Sequence, residues 1–583
     1  MNTIVRQSPA LLAAQSADSK VVECLKEGKC FLLEAGAGAG KTYSLIETLQ
    51  YLIATQNDKL KRDNQRIACI TYTNAATAVI RGRIDSNPLV FTDTIHAFCW
   101  SLIKGFQLML RQRLASLPAW QERLSTGPAI TNQIVEYNLG HRCLTDSVIS
   151  LHHDDVLSLM AGLLQLKKFQ TIVADRYPFI LIDEYQDTNT EIMEAIKSNL
   201  LGRIGGPKIG LFGDHWQRIY EGTCGHVQHN ALIEIGKKAN FRSATSIVGV
   251  LNNMRKELPQ AVKDETFVGL ARVYHTNNWN GIRRSGAGGG HWTDDLPADI
   301  AHKFLEKLIG KLMEEGWDFA PEKTKILMLT HNVLAAEQGY SNLTKVFSHP
   351  DQFIKKEDDY ITFFVDRLEP ACDAFQRRLY GKMFEILGSA TPRFLTHADK
   401  VRWSTSMNEL LIKRQRGTIA DVVTHISNGG YIRLPEAILR RESEAERFDD
   451  TAEEAMPDHV IITRNLRTIL YREVIALDQF IDGHTPFATK HSVKGDEFEN
   501  VLIVVGRGWN KYNFGQYLEW AGSGVPEDKQ DFYERNRNLF YVSCSRPTTR
   551  LALLFTQKLS PISIQTLQEW FGVHAVQALS LDI

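Results

Sequence analysis

Residues 35–42 read AGAGAGKT, and the reading of this stretch decides the fold. A short apolar run, residues 30–34, leads into it, and residues 42–51 beyond it have the spacing of a helix. Strand, glycine-rich turn and helix in that order make a phosphate loop. The backbone amides of Ala35, Gly36, Ala37, Gly38, Ala39 and Gly40 can surround a β-phosphate, Lys41 can reach the β and γ oxygens, and the Thr42 hydroxyl can bind Mg²⁺. Ala35 stands where the commonest pattern has glycine. A chance glycine-rich turn is the alternative, and the flanking strand and helix with an intact GKT argue against it.

Further along, residues 67–71 form a second apolar strand followed by helical 74–84, residues 179–182 a third strand, and residues 208–212 a fourth that closes on Gly213 and Asp214. Strands alternating with helices predict an α/β chain with a parallel, doubly wound sheet whose ligands lie at the carboxyl ends of the strands. Residues 183–187, DEYQD, follow the third strand and so fall beside the phosphate loop. There Asp183 can hold Mg²⁺ and Glu184 can orient and deprotonate an attacking water. A solvated acidic turn is the bland alternative.

A second sheet is expected to start at residues 326–329 and to resume at 501–505 and 551–555. Residues 101–167 and 348–458 read as mainly helical insertions, the later one carrying a basic run at 413–416. The predicted organisation is a first core of 1–100 and 168–235 around the insertion 101–167, and a second core of 236–347 and 459–583 around the insertion 348–458. Residues 285–290 and 442–454 read as loops, and no internal repeat is found.

Composition narrows the classes. The 583 residues carry 67 Lys and Arg against 68 Asp and Glu, a net charge of −1, so nucleic-acid contact must come from local patches and not from a global basic field. Hydrophobic residues make up 43%, yet no apolar run approaches the roughly 20 residues of a membrane helix, and no membrane partner is expected. The N-terminal stretch does not read as a cleaved signal, and a cytoplasmic location is expected. The eight cysteines show no paired CxxC spacing, which favours reduced thiols over a zinc or iron–sulfur site.

Several further segments fall in a fixed order: ITYTNAATAVIRGRI at 70–84, TIHAF at 94–98, GDHWQRIY at 213–220, NFRSA at 240–244, TKHSVKGDEF at 489–498 and NLFYVSCSR at 538–546. With the phosphate loop and DEYQD, this set resembles the UvrD/Rep/PcrA family of superfamily-one DNA helicases. The resemblance implies two RecA-like P-loop cores, parallel sheets flanked by helices, each with a mainly helical insertion. It implies ATP and Mg²⁺ as cofactors and single-stranded or tailed duplex DNA as partner, with translocation 3′ to 5′.

Residue by residue, the resemblance implies that Gln15 reads the adenine edge, although it lies farther from Lys41 than the family pattern has it. Phe241 takes the place of a base-stacking tyrosine, and Glu497 contacts the ribose. Gln217 senses the γ-phosphate, while Arg242 and Arg546 reach it from the second core. Thr73, Asn74, His96, Asn332 and His491 fall in DNA-facing segments, where small polar groups can bond phosphates and sugars without reading sequence. For each of these a satisfied turn or core role is the alternative.

One departure stands out. After GDHWQRIY the family continues with a Trp-Arg pair, but this chain has Glu221, Gly222, Thr223 and Cys224. Trp216 or Tyr220 could take over base stacking; otherwise the grip on single strands is weaker. A reading of another class is therefore kept, a nucleotide-gated DNA sensor resembling the helicase-like subunit of Gabija-type antiphage systems, with an OLD-family nuclease as partner. RNA as the track also stays open.

Overall fold

The computed structural model describes residues 8–138, 141–285, 293–328, 335, 337–347, 351–388, 394–429, 431–448, 456–481, 485–489, 495–506 and 512–581. Two six-stranded sheets dominate it. The first is built from β1 (Cys30–Ala35), β2 (Ile67–Thr71), β3 (Val90–Thr94), β7 (Phe179–Asp183), β8 (Lys208–Gly213) and β9 (Leu232–Lys237), in the order β3-β2-β7-β8-β1-β9 with every pair parallel. The second contains β12 (Leu270–His275), β13 (Thr324–Met328), β14 (Phe487–Thr489), β15 (Phe498–Val505), β16 (Pro547–Phe555) and β17 (Val576–Ala578), in the order β14-β13-β15-β16-β12-β17, again all parallel. Counting each sheet's strands from its own start, the two orders are the same. The chain has folded the same RecA-like pattern twice.

The strand sequences explain the layering. CFLLEA, IACIT and FILID are near-continuous apolar runs because helices cover both faces of a parallel sheet. Apolar clusters lie on either side of the first sheet, around Ile70 and Ile182 on one face and Leu33 and Leu181 on the other. The second sheet is sandwiched in the same way, around Val501 and Leu553 and around Leu502 and Leu554.

Helix α1 (Pro9–Lys26) starts with a Ser8 cap and packs beside β9, and α2 (Lys41–Arg62) leaves the phosphate loop directly. α2 is longer than the 42–51 read from sequence and begins one residue earlier. α3 (Asn74–Arg83) and α4 (Ile95–Ile103) follow β2 and β3, capped by the Thr73 and Thr94 hydroxyls.

The second sheet does not start at 326–329 as expected. β12 comes first, and its LARVYH reads weakly because Arg272 interrupts the apolar run. β3, β9, β14 and β17 were also not read from sequence. Residues 101–167 hold a small sheet besides their helices: β4 (Ile134–Glu136) runs parallel to β6 (Val148–Ser150), and β5 (Cys143–Leu144) runs antiparallel to it. A short parallel pair, β10 (Ala239–Asn240) with β11 (Ala261–Val262), lies between the two large sheets in sequence. The helices between residues 343 and 481 enclose their own apolar core around Phe364, Leu368, Val423 and Leu466. Among the described residues no single helix is long and apolar enough to cross a membrane.

Candidate nucleotide-binding cleft

At the carboxyl ends of the first sheet, a cleft of about 680 Å³ opens against the second core. Its lining includes Gly36 through Thr42, Asp183, Glu184, Gln217, Phe241, Arg242, Glu497 and Arg546, so residues more than 500 positions apart in sequence face one space. Ala35 is the buried last residue of β1 and lies outside that lining.

The loop conformation follows from its glycines. Gly38 and Gly40 both have φ +73°, and a Cβ on Gly38 would lie 2.8 Å from the Arg242 Cβ and 2.8 Å from the Asn240 Oδ1. Second-core groups seal the back of the loop: the Asn240 and Gln260 side-chain amides donate to the Ala37 carbonyl at 3.1 and 3.0 Å, and Phe241 N–H donates to the Gly38 carbonyl at 2.8 Å. Asn240 and Gln260 were not picked out from sequence. Asn240 lies inside the quoted NFRSA, whereas Gln260 carries no signal of its own.

Lys41 Nζ donates to Glu184 Oε2 at 2.7 Å, and Gln186 Nε2 donates to the same oxygen at 2.6 Å. Burial opposes the lysine's charge, but Glu184, Asp183 and Asp214 outweigh it and raise its pKa. Burial and the neighbouring Glu184 carboxylate push Asp183 up to about 7. Two carboxyls crowded around one ammonium suit a further cation. Asp183 and the cleft-lining Thr42 hydroxyl supply the hard oxygen donors that Mg²⁺ prefers. Glu184 itself has φ +47° and ψ +47°, a left-handed conformation rare for a side-chain-bearing residue.

The arginines approach from the other side. Arg242 Nε donates to Glu497 Oε2 at 2.8 Å, and its Nη1 to the Ser545 carbonyl at 3.3 Å. Arg546 is 1% exposed, and its guanidinium donates to the Val542 carbonyl, the Asp496 carbonyl and the Ser545 hydroxyl at 2.9, 3.3 and 2.9 Å. Burial, and then repulsion from Arg242, hold its pKa well below the usual value. Gln217 Nε2 donates to Asp214 Oδ2 at 2.7 Å.

A second hollow of about 870 Å³ adjoins the cleft and shares Gly40, Tyr43 and Phe241 with it; the exposed Gln15 lines it. Phe241 therefore stands between the phosphate loop and this hollow.

The DNA-facing expectations divide. Thr73 lines the cleft and caps α3, with Asn74 exposed at the first turn. Tyr220 is 37% exposed and stacks on Tyr72, 42% exposed, with ring centroids 5.6 Å apart and planes at 22°. Trp216 does not serve as an exposed platform: it is 7% exposed, with the Arg537 guanidinium 4.3 Å from its ring centroid, Arg255 at 5.2 Å and the Tyr541 ring at 5.3 Å. Cations and a neighbouring ring cover the indole, whereas Tyr72 and Tyr220 keep exposed rings. His96 is half-buried against the His153 ring at 5.3 Å and does not line the cleft. Asn332 and His491 lie outside the described residues.

The family described as AAA domain matches residues 18–223. The chain is 23% identical to the Gabija protein GajB of Bacillus cereus (strain HuB5-5), over 96% of this chain and 97% of that protein. It is 23% identical to the Gabija protein GajB of Bacillus cereus (strain VD045), over 94% and 97%. It is also 24% identical to the ATP-dependent DNA helicase Rep of Escherichia coli (strain K12), over 48% of each chain. Doubled parallel sheets, a cleft lined by the ordered motifs and these matches together make the chain similar to the UvrD/Rep-like superfamily-one helicases.

Proposed function

We propose that the chain hydrolyses ATP in this cleft and uses the cycle to move 3′ to 5′ along single-stranded DNA, separating duplexes as it goes. The observation that carries the reading is Arg546, a buried guanidinium from the second core that faces Lys41 and Glu184 of the first and has no carboxylate partner among the described residues. A cation held by carbonyls and a hydroxyl in a closed site gains most from an incoming anion.

In this reading Lys41 leaves Glu184 for the phosphates, which frees Glu184 to take a proton from the attacking water. Gln217 orients toward the γ-phosphate, and Arg242 and Arg546 stabilise charge on it as the bond breaks. Phe241 stacks on the base, with Gln15 at its edge and Glu497 at the ribose. Asp183 and Thr42 would hold Mg²⁺, which would supply neutralisation of phosphate charge. Because the arginines and Lys41 belong to different cores, the site is complete only when the cores close, and loss of the phosphate lets them part.

A second reading is favoured by one observation: Glu221 to Cys224 stand in place of a Trp-Arg pair and Trp216 is buried, which leaves exposed tyrosines such as Tyr72 and Tyr220 beside the cleft to take up base stacking. A weaker grip suits a nucleotide-gated DNA sensor that controls a partner nuclease of the OLD family in antiphage defence. ATP turnover should rise with single-stranded DNA more than with RNA, and chelation of divalent metal should abolish it. Displacement from duplexes with a 3′ tail but not a 5′ tail supports the motor. Turnover without displacement, with nuclease activity gated by ATP once a partner is added, supports the sensor.

A further inference from the structure

Glu34 is the one charged residue in β1, and it directly precedes the phosphate loop. Its Oε1 accepts the His215 backbone N–H at 3.0 Å and Arg255 Nη2 at 2.9 Å, and lies 2.7 Å from His215 Nδ1; its Oε2 accepts the Tyr185 hydroxyl at 2.8 Å. Arg255 Nη1 donates to Asp214 Oδ1 at 2.6 Å, and the other oxygen of Asp214 receives Gln217 Nε2. Glu34, Asp214 and His215 sit close enough together to ligate a metal ion, but a guanidinium supplies the cation there.

That guanidinium comes from the other core. Arg255 ends the helix Thr245–Met254, whose Leu251 and Met254 pack with Val273 and Leu553 of the second sheet. Its side chain is 2% exposed and lies 5.2 Å from the Trp216 ring centroid and 5.9 Å from that of Tyr541. The Asn538 amide, from the helix Gln530–Cys544 of the second core, also holds the turn by donating to the His215 and Arg218 carbonyls at 3.1 and 3.0 Å.

We propose that Arg255 is a positioning residue that ties the second core to Glu34 at the root of the phosphate loop and to Asp214, which orients Gln217. One planar fork bridging two carboxylates is directional, and in a dry site it cannot be exchanged for water without stranding buried charge. A shift of the helix Thr245–Met254 with its core therefore carries the Gln217 turn with it, so that cleft closure and γ-phosphate sensing form one motion.

The inference rests on the hydrolysis reading, and the test separates the two. R255K keeps the charge but presents a single ammonium in place of the fork. It is expected to leave the KM for ATP within about threefold while kcat with single-stranded DNA falls on the order of tenfold or more, and DNA stimulation shrinks. E34Q, which keeps the shape but removes the charge and turns one acceptor oxygen into a donor, should shift kcat in the same direction to a smaller extent, and decides the matter if R255K is insoluble. Wild-type turnover with both variants inside twofold of it overturns this inference alone, as does a fall in thermal stability with kcat per folded molecule unchanged. Absence of turnover in the wild-type chain defeats the hydrolysis reading, and this one with it.

Discussion

Glu184 shows how much one residue is asked to do. It holds Lys41, accepts from Gln186 and adopts a left-handed backbone, a conformation that costs about 1–3 kcal/mol and persists where the surroundings over-determine it. In the proposed reading that conformation sets the carboxylate for its part in hydrolysis. Lys41→Ala and Glu184→Gln should each lower ATP turnover by roughly 100-fold or more, read in a steady-state phosphate-release assay; substantial residual hydrolysis in either would refute the assignment.

The aromatic residues near the cleft give a sharper contrast. Tyr220→Ala should weaken binding of single-stranded DNA by about 1–3 kcal/mol, measured by anisotropy. Trp216→Ala should act first on the fold, lowering stability by about 3–5 kcal/mol in a denaturation experiment, because the indole is packed under Arg537 and Arg255. If Trp216→Ala kept its stability and lost only DNA affinity, the tyrosines would lose their assigned role. Sequence alone left these two aromatics equivalent, since spacing cannot tell a covered indole from an exposed phenol.

At the scale of elements, the phosphate loop is shaped as much by what packs on it as by its own glycines. Gly38→Ala combines a positive φ with a Cβ 2.8 Å from the Arg242 Cβ, so the bend that carries Arg242 would have to shift off the loop. Nucleotide affinity should fall by on the order of tenfold or more in a titration with a fluorescent ATP analogue, with little change in helix content by circular dichroism. Unchanged affinity would mean the contact with Arg242 is not maintained around nucleotide.

Elements were legible where their periodicity was clean. β1, β2, β7 and β8 are apolar runs ending at the site, and each was readable from sequence. β9, LIEIGK, alternates because it is an edge strand, and β14 and β17 have only three residues each, too few for a period to show. Glu34 did carry a signal, as a carboxylate within an apolar strand. Arg255 carried none, because its role comes entirely from long-range packing that brings a helix end against the neighbouring core.

Taken whole, the chain repeats one strand order twice and places its reactive groups at the seam. The first core supplies Lys41, Thr42, Asp183, Glu184 and Gln217; the second supplies Arg242, Glu497 and Arg546. In the described state Lys41 is paired with Glu184 and Arg242 with Glu497, whereas Arg546 has no carboxylate partner among the described residues. In the proposed reading nucleotide exchanges both pairs, and that exchange links binding to closure. The most direct measurement is a structure with a non-hydrolysable ATP analogue and Mg²⁺. The account predicts that Lys41 has left Glu184 and that the Arg242 and Arg546 guanidiniums lie within hydrogen-bond distance of the γ-phosphate; a triphosphate held by Lys41 with both guanidiniums directed elsewhere would contradict it.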